Sequence, residues 1–297
     1  MESTIAPGVL TVDLEEHFQV EAFSATVDRS QWERHASRLP ENTHRLLDLF
    51  DEYGATATFF VVGWNAERHP ELVREIARRG HELGCHSYWH RPVYELTPEQ
   101  FADDTRRAKS AIEQAAGAAV AGYRAPSFSI TRRTLWALPL LAEAGFDYDC
   151  SIFPIRHDLY GMPGGPRRPF LIQTESGPLV EFPLPTIRFA GFTLPATGGG
   201  YLRILPVWYT QAAISRLRRE ELPLIVYVHP WELDPGQPHI AAGFVSRLRH
   251  YTNLAGTCGR LRRVLSAGKF RSFRDSGAPL LRGIGPGATI QHGVWKS

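Results

Sequence analysis

Cysteine is scarce. Cys85, Cys150 and Cys258 are isolated and odd in number, which excludes a disulfide framework as the source of stability. Long apolar runs are missing too: none reaches the roughly 18 residues that a membrane-spanning helix requires. The N-terminus, Met1-Glu2-Ser3-Thr4-Ile5, lacks the basic start and apolar core of a secretory signal, so the chain reads as a soluble protein that stays in the cytoplasm. No excess of one charge exists. A net charge of +2 over 297 residues argues against a general nucleic-acid binder, although the arginines cluster late in the chain. Internal repeats are absent, and Gly198-Gly199-Gly200 lacks the spacing and the Lys-Ser or Lys-Thr of a phosphate loop.

What is present is an alternation of strand and helix. Val9 to Val12 is short and apolar and then turns acidic, as a central strand does where its carboxyl end opens into a site. Leu46, Leu47, Leu49 and Phe50 recur at helical spacing over Asn42 to Tyr53, with Gly54 as the stop. Ala55 to Gly63 reads as a buried strand, Pro70 to Arg79 as a helix, and Thr97-Pro98-Glu99-Gln100 as the start of another. A helix over Thr131 to Ala144 contains Pro139, which should kink or shift it. Loops and hairpins are expected from Pro154 to Gly200, then a helix over Leu205 to Leu217 and a strand ending at His229. This order predicts a parallel sheet in one large domain. We place the domain at 1–235, a C-terminal extension at 236–280 and a poorly ordered tail at 281–297.

Three strand ends deliver polar groups. Asp13-Leu14-Glu15-Glu16-His17 follows the first apolar run; His86 and His90 sit four apart, a spacing that brings two rings to one side of a helical turn; and His229 follows Leu224 to Val228. A metal bound by two neutral imidazoles and a carboxylate keeps coordination positions open, so it can polarise a carbonyl and acidify a bound water. His86 and His90 with Glu15 or Glu16 supply such a set, Asp13 a base, and His229 an acid. Arg124 is placed to hold Asp13 ionised. Cys85 reads as a small buried residue.

The order of these motifs resembles the polysaccharide deacetylases, metal-dependent carbohydrate esterases of family 4 that share the nodulation-protein B homology domain. The matching pieces are Thr11-Val12-Asp13, His86-Ser87-Tyr88-Trp89-His90, Arg124-Ala125-Pro126, Asp149-Cys150-Ser151 and Val228-His229. Thr11 to Val20, Gly198 to Arg203, Val228-His229-Pro230-Trp231-Glu232 and the tail around His250-Tyr251-Thr252-Asn253 are similar to the subgroup associated with exopolysaccharide and exosortase loci, the tail looking like that subgroup's own extension. The resemblance implies an α/β fold, a deformed (β/α) barrel with fewer than eight clean repeats, and a C-terminal helical extension. It also implies zinc, with cobalt or nickel as substitutes, and removal of N-acetyl groups from a bacterial glycan. Catalysis would fall to Asp13, His229 and Arg124, and the metal to Glu15, His86 and His90. Tyr123, Trp89, Trp231, Pro126 and Ser127 lie beside the motifs as substrate contacts, as does the aromatic Phe128, although for the aromatic residues core packing is an equal reading.

One departure matters. The family places two aspartates side by side in its first motif, whereas Leu14 follows Asp13 here. A strand alternates its faces, so Glu15 is the next residue to point the same way as Asp13, with Glu16 on the metal, or Asp13 itself, as the alternatives. Two other readings remain: a metal-dependent amidase on a small cyclic amide or formamide, and a glycan-binding module in which Leu14 has abolished catalysis.

Overall fold

In the computed structural model, which describes residues 6–276 and the backbone of 285–291 and 294–296, the organising element is β1 (Gly8–Leu14). It is buried along its whole length, as its apolar run requires. Strands and helices then alternate: α1 (Leu39–Glu52), β2 (Thr58–Val61), α2 (Gly63–Arg68), α3 (Pro70–Arg78), β3 (Glu82–Cys85), α4 (Pro98–Ala116), β4 (Gly122–Tyr123), α5 (Ala137–Glu143) and β5 (Tyr148–Asp149). Thr97 and Gln100 form a reciprocal capping box at the start of α4, and Gly117, with φ of 68°, ends it. α5 begins at Ala137, later than the sequence spacing suggests, because Pro139 has no N–H and fits only in a first turn.

The second half holds the hairpin β6 (Phe170–Thr174) and β7 (Gly177–Glu181), and the hairpin β8 (Thr186–Phe189) and β9 (Phe192–Pro195). There follow α6 (Gly199–Ile204), α7 (Val207–Arg219), β10 (Ile225–Val228), α8 (Phe244–Tyr251), α9 (Leu254–Leu265), β11 (Phe270–Arg271), β12 (Gly285–Gln291) and β13 (Val294–Lys296). In the main sheet β10, β1, β2, β3, β4, β5 and β7 run parallel in that order, with β6 antiparallel to β7. Among the described residues no ladder returns from this end to β10, so the barrel is open in its hydrogen bonding.

The sheet nevertheless curls on itself. Val9, Phe60, Tyr148, Cys150, Phe182, Ile225 and Tyr227, from strands far apart in the ladder, form one inner cluster, while Leu10, Val12, Leu14, Phe59, Val61 and Val226 face outward into the main helix-covered core. Space inside is tight: a Cβ on Gly122 would lie 2.1 Å from the Tyr148 ring.

The C-terminal extension is woven into this sheet rather than laid on it, since β11 pairs in parallel with β1 through Gly8 and Phe270. Of the tail at 281–297, two stretches are described. Gly285–Gln291 pairs with β6 and Val294–Lys296 with β12, because the free edge of a hairpin offers an unpaired ladder to any β-competent segment; 281–284, 292–293 and 297 lie outside the described residues. No helix among the described residues is long and apolar enough to cross a membrane.

Candidate metal centre and cleft

The site lies at the carboxyl ends of the parallel strands. Asp13 and Glu15 leave the end of β1 on the same side, and both are buried. Glu15 Oε2 is 2.6 Å from His90 Nε2, and one ligand atom from each of Glu15, His86 and His90 lies within 4.8 Å of the others. Glu16 turns elsewhere: its carboxylate accepts from the backbone N–H groups of Arg38 and Leu39 at the start of α1. Among the described residues this is therefore one cluster fit for a divalent ion, and its carboxylate is Glu15.

The two histidines do not share a helical turn, as their spacing suggested. Residues 86–90 form a bend after β3 in which Ser87 and His90 adopt φ of 62° and 48°, values no right-handed helix accepts. The bend is held by Asp104 of α4, whose carboxylate accepts from the N–H groups of Tyr88 (2.7 Å) and Trp89 (3.1 Å). His86 Nδ1 lies 2.7 Å from the Arg124 carbonyl, which fixes the tautomer with Nε2 free as a ligand atom. His90 Nδ1 is buried without a partner. Two imidazoles and a carboxylate, one ring anchored from behind, fit zinc and its neighbours in the first transition row.

Arg124 follows β4 and is wholly buried. Its Nη1 donates to Asp13 Oδ1 (2.6 Å) and Thr11 Oγ1 (2.9 Å), and its Nε to the Cys150 carbonyl (3.2 Å). The Asp149-Cys150-Ser151 segment thus serves as a brace. Ser151 Oγ accepts from the Ala125 N–H and donates to Asp149, so the segment fixes the Arg124 loop and presents no group to the cleft. Behind it burial raises the Asp149 carboxyl to about 6, and burial beside Asp149 raises Glu181 further.

His229 follows β10. Its Nε2 is 3.7 Å from Asp13 Oδ2 and 3.4 Å from Glu15 Oε1, and its Nδ1 is 3.1 Å from Glu232 Oε2. Burial opposes the charged ring, but Glu232, Glu15 and Asp13 outweigh it and raise its pKa to about 9. Burial likewise works against ionised Glu15, and the imidazoles of His90 and His229 overcome it, holding Glu15 at about 2. Sequence reasoning assigned no role to Glu232 or Arg203, although both stand in phrases it singled out. Arg203 Nε donates to Glu232 Oε1 (2.6 Å), and its remaining N–H groups reach the carbonyls of Arg249, His250 and Thr252. The Gly198-Gly199 pair has a packing role: with φ of 94° and 48° the chain crosses the Tyr227 ring, which a Cβ on Gly198 would meet at 2.1 Å.

Above these groups opens a cleft of about 420 Å³. Ser127, Phe128, Tyr160, Trp231 and His250 help to line it, and Trp231 stacks between His229 and His250 while donating to Glu15 Oε1 (3.1 Å). Tyr123 does not line it. Its ring points to the helix-covered side of the sheet, against Phe101 and Phe146, because position 123 has the opposite parity to Arg124. Trp89 packs against Trp32 and Tyr88, and Pro126 is buried beneath the loop.

Fold and site together define a parallel α/β barrel with a two-histidine, one-carboxylate donor set beside an aspartate–arginine pair. Residues 20–148 match the polysaccharide deacetylase family model, and residues 150–277 match a domain of unknown function, DUF3473. A peptidoglycan-N-acetylglucosamine deacetylase of Bacillus cereus is 32% identical over 98 residues, 33% of this chain and 36% of that protein. A peptidoglycan deacetylase of Helicobacter pylori is 35% identical over 108 residues, 36% of each chain. The matched segment thus spans little more than a third of these relatives. A solved structure from Mycobacterium smegmatis, assigned to the polysaccharide deacetylases, superposes with a TM-score of 0.63 at 21% identity over 97% of this chain and 98% of that one, a likeness of fold. His229, Glu232 and Arg203 all lie in the DUF3473 segment, so the site straddles both matched regions.

Proposed function

We propose that this protein is a metal-dependent hydrolase that removes N-acetyl groups from a bacterial glycan, an exopolysaccharide or its precursor. The observation that carries the reading is the convergence of Glu15, His86 and His90 beside an Arg124-held Asp13 and a Glu232-backed His229. Glu15, His86 and His90 would hold the ion. Zinc, or cobalt or nickel in its place, supplies Lewis acidity there, polarising the amide carbonyl and lowering the pKa of a water.

The chain's own groups do the rest. Arg124 occupies Asp13 Oδ1, which leaves Oδ2 to take the proton of the attacking water. His229 Nε2, turned toward the same carboxylates, gives a proton to the sugar nitrogen as the C–N bond breaks. Acetate and a free amine result. Phe128 offers a ring to the pyranose and Ser127 a hydroxyl on the walls of the cleft, while Trp231, stacked between His229 and His250, holds His229 in place. Both curated relatives described above are named for deacetylation of peptidoglycan, which supports an N-acetylated glycan over a small cyclic amide.

The test is acetate release from an N-acetylglucosamine oligomer by metal-stripped protein, with and without added zinc or cobalt. Metal-dependent release is expected. One metal bound per chain with no release from any N-acetylated oligomer would overturn the reading in favour of a small-amide substrate or glycan binding alone.

A further inference from the structure

Arg203 apart, the late clustering of arginine has no role assigned in the site described above. No Asp or Glu occurs between Glu181 and Glu220, nor between Asp234 and Asp275, while these two stretches carry 12 arginines and one lysine. They fold into adjoining elements: α7 packs on β8, and α6 touches both α8 and α9. Five of the arginines find carboxylates: Arg203, Arg216, Arg249, Arg262 and Arg274. Arg188, Arg219, Arg247 and Arg263 are exposed, with no ion pair among the described residues.

Between α7 and α9 lies a groove of about 230 Å³ in which Arg218, Arg260 and Arg263 stand among Val207, Ile214 and Val264, with no acidic residue in its lining. Arg260 Nη1 donates to the carbonyls of Leu202 and Leu205, and Arg218 Nη2 to that of Ala267. Carbonyls orient these guanidinium groups without neutralising them. Large apolar side chains protrude from the same elements: Phe244 is 76% exposed, Phe192 70% and Trp208 68%, accompanied by Phe189 and Leu248. A polyanion such as an acidic glycan or RNA accounts for the arginines and gives a bare Phe244 or Phe192 nothing to bury against. An anionic bilayer surface accounts for both, since aromatic and aliphatic side chains enter the headgroup boundary while arginines meet lipid phosphates.

We infer that the face built from the β8–β9 hairpin, α6, α7, α8 and α9 docks this protein on an anionic membrane surface, a lipid phosphate occupying the Arg218–Arg260–Arg263 groove. α6 and α8 also line the cleft, through Gly200 and Arg203 and through Ser246 and Arg249, so docking brings the cleft mouth beside the bilayer. The inference is independent of the amide chemistry proposed above.

It is tested by sedimentation of the full chain with vesicles of phosphatidylcholine alone and of phosphatidylcholine containing phosphatidylglycerol. Binding to the anionic vesicles only is expected, weakening with salt. Arg219→Glu with Arg263→Glu should reduce partition by about tenfold or more. Phe244→Ser with Leu248→Ser, and Phe189→Ser with Phe192→Ser, should each reduce it at unchanged thermal stability. These exposed positions leave acetate release from a soluble oligomer untouched, which separates this result from any failure of the catalytic reading. No binding to anionic vesicles overturns the proposal. So does binding that the serine variants leave unchanged, which would mark a polyanion surface, or a dimer in light scattering that the same variants dissociate, which would mark a second copy as the occupant.

Discussion

The segment up to Asp149 and the segment after it build the site in different ways. The first is a regular strand–helix alternation in which the polar groups sit at strand ends: Asp13 in the last pleat of β1 and Glu15 just after it, His86 and His90 after β3, Arg124 after β4. The second reaches the site by a longer route. β10 lies next to β1 in the sheet although more than 200 residues separate Val12 from its partner Val228, and the carboxylate behind His229 comes from a turn at Glu232 that Arg203 of α6 holds. The first segment therefore places the candidate donors for an ion and, with Ser127 and Phe128, part of the cleft wall, and the second places His229 and the rest of the wall. Neither segment is a complete site.

His86→Ala breaks the first contribution outright. It should remove metal and acetate release together, read by metal content per chain alongside the assay; an active, metal-replete variant would remove His86 from the site. His229→Ala breaks the second and should keep the metal while turnover falls by about two to four orders of magnitude. Unchanged turnover would cancel its assignment as the acid.

Arg124→Met tests the seam within the first segment, because it leaves Asp13 buried without its cation. Loss of one partner of such a buried pair costs about 3–5 kcal/mol, and denaturant unfolding should show it. An unaffected midpoint would mean that Asp13 is stabilised by something other than Arg124.

Glu232→Gln sharpens the comparison through pH. His229 has its pKa raised from 6.5 to about 9 in the fold, so the stability it contributes is complete below 6.5 and is lost as pH rises through 9. In metal-stripped protein, thermal stability should decline over that window, and Glu232→Gln should flatten the decline. It should also lower turnover by about 10-fold to 100-fold while leaving metal content intact, as loss of an orienting partner does. A pH profile identical in both proteins would separate Glu232 from His229. The smallest effect belongs to Tyr123→Phe: with the ring behind the sheet, KM and turnover should stay as they are and stability should change by about 1 kcal/mol or less. A raised KM would return Tyr123 to the cleft.

Which parts of this were legible in the chain follows from what each depends on. Alternation of faces along β1 pointed to Glu15 ahead of Glu16 as the residue beside Asp13, since alternation is a local property of any strand. The same rule places Tyr123 opposite Arg124, yet adjacency to a motif suggested a substrate contact there. The four-residue spacing of His86 and His90 suggested a helix, and the bend instead depends on Asp104, a residue of α4 that local pattern does not connect to it. Tail strand β12 was equally out of reach, because its partner is an edge on β6.

By itself the sequence determined the alternating barrel order, the burial of β1 and the identity of the groups at each strand end, all of which follow from periodicity and composition over a few residues. Only the tertiary structure decided which of those groups meet. Glu232 reaches His229 within one turn, but Arg203, which holds Glu232, and Asp13 and Glu15, which face His229, come from segments far apart in the chain, and distances between such segments are set by how the sheet curls and how α6 and α8 pack over its end.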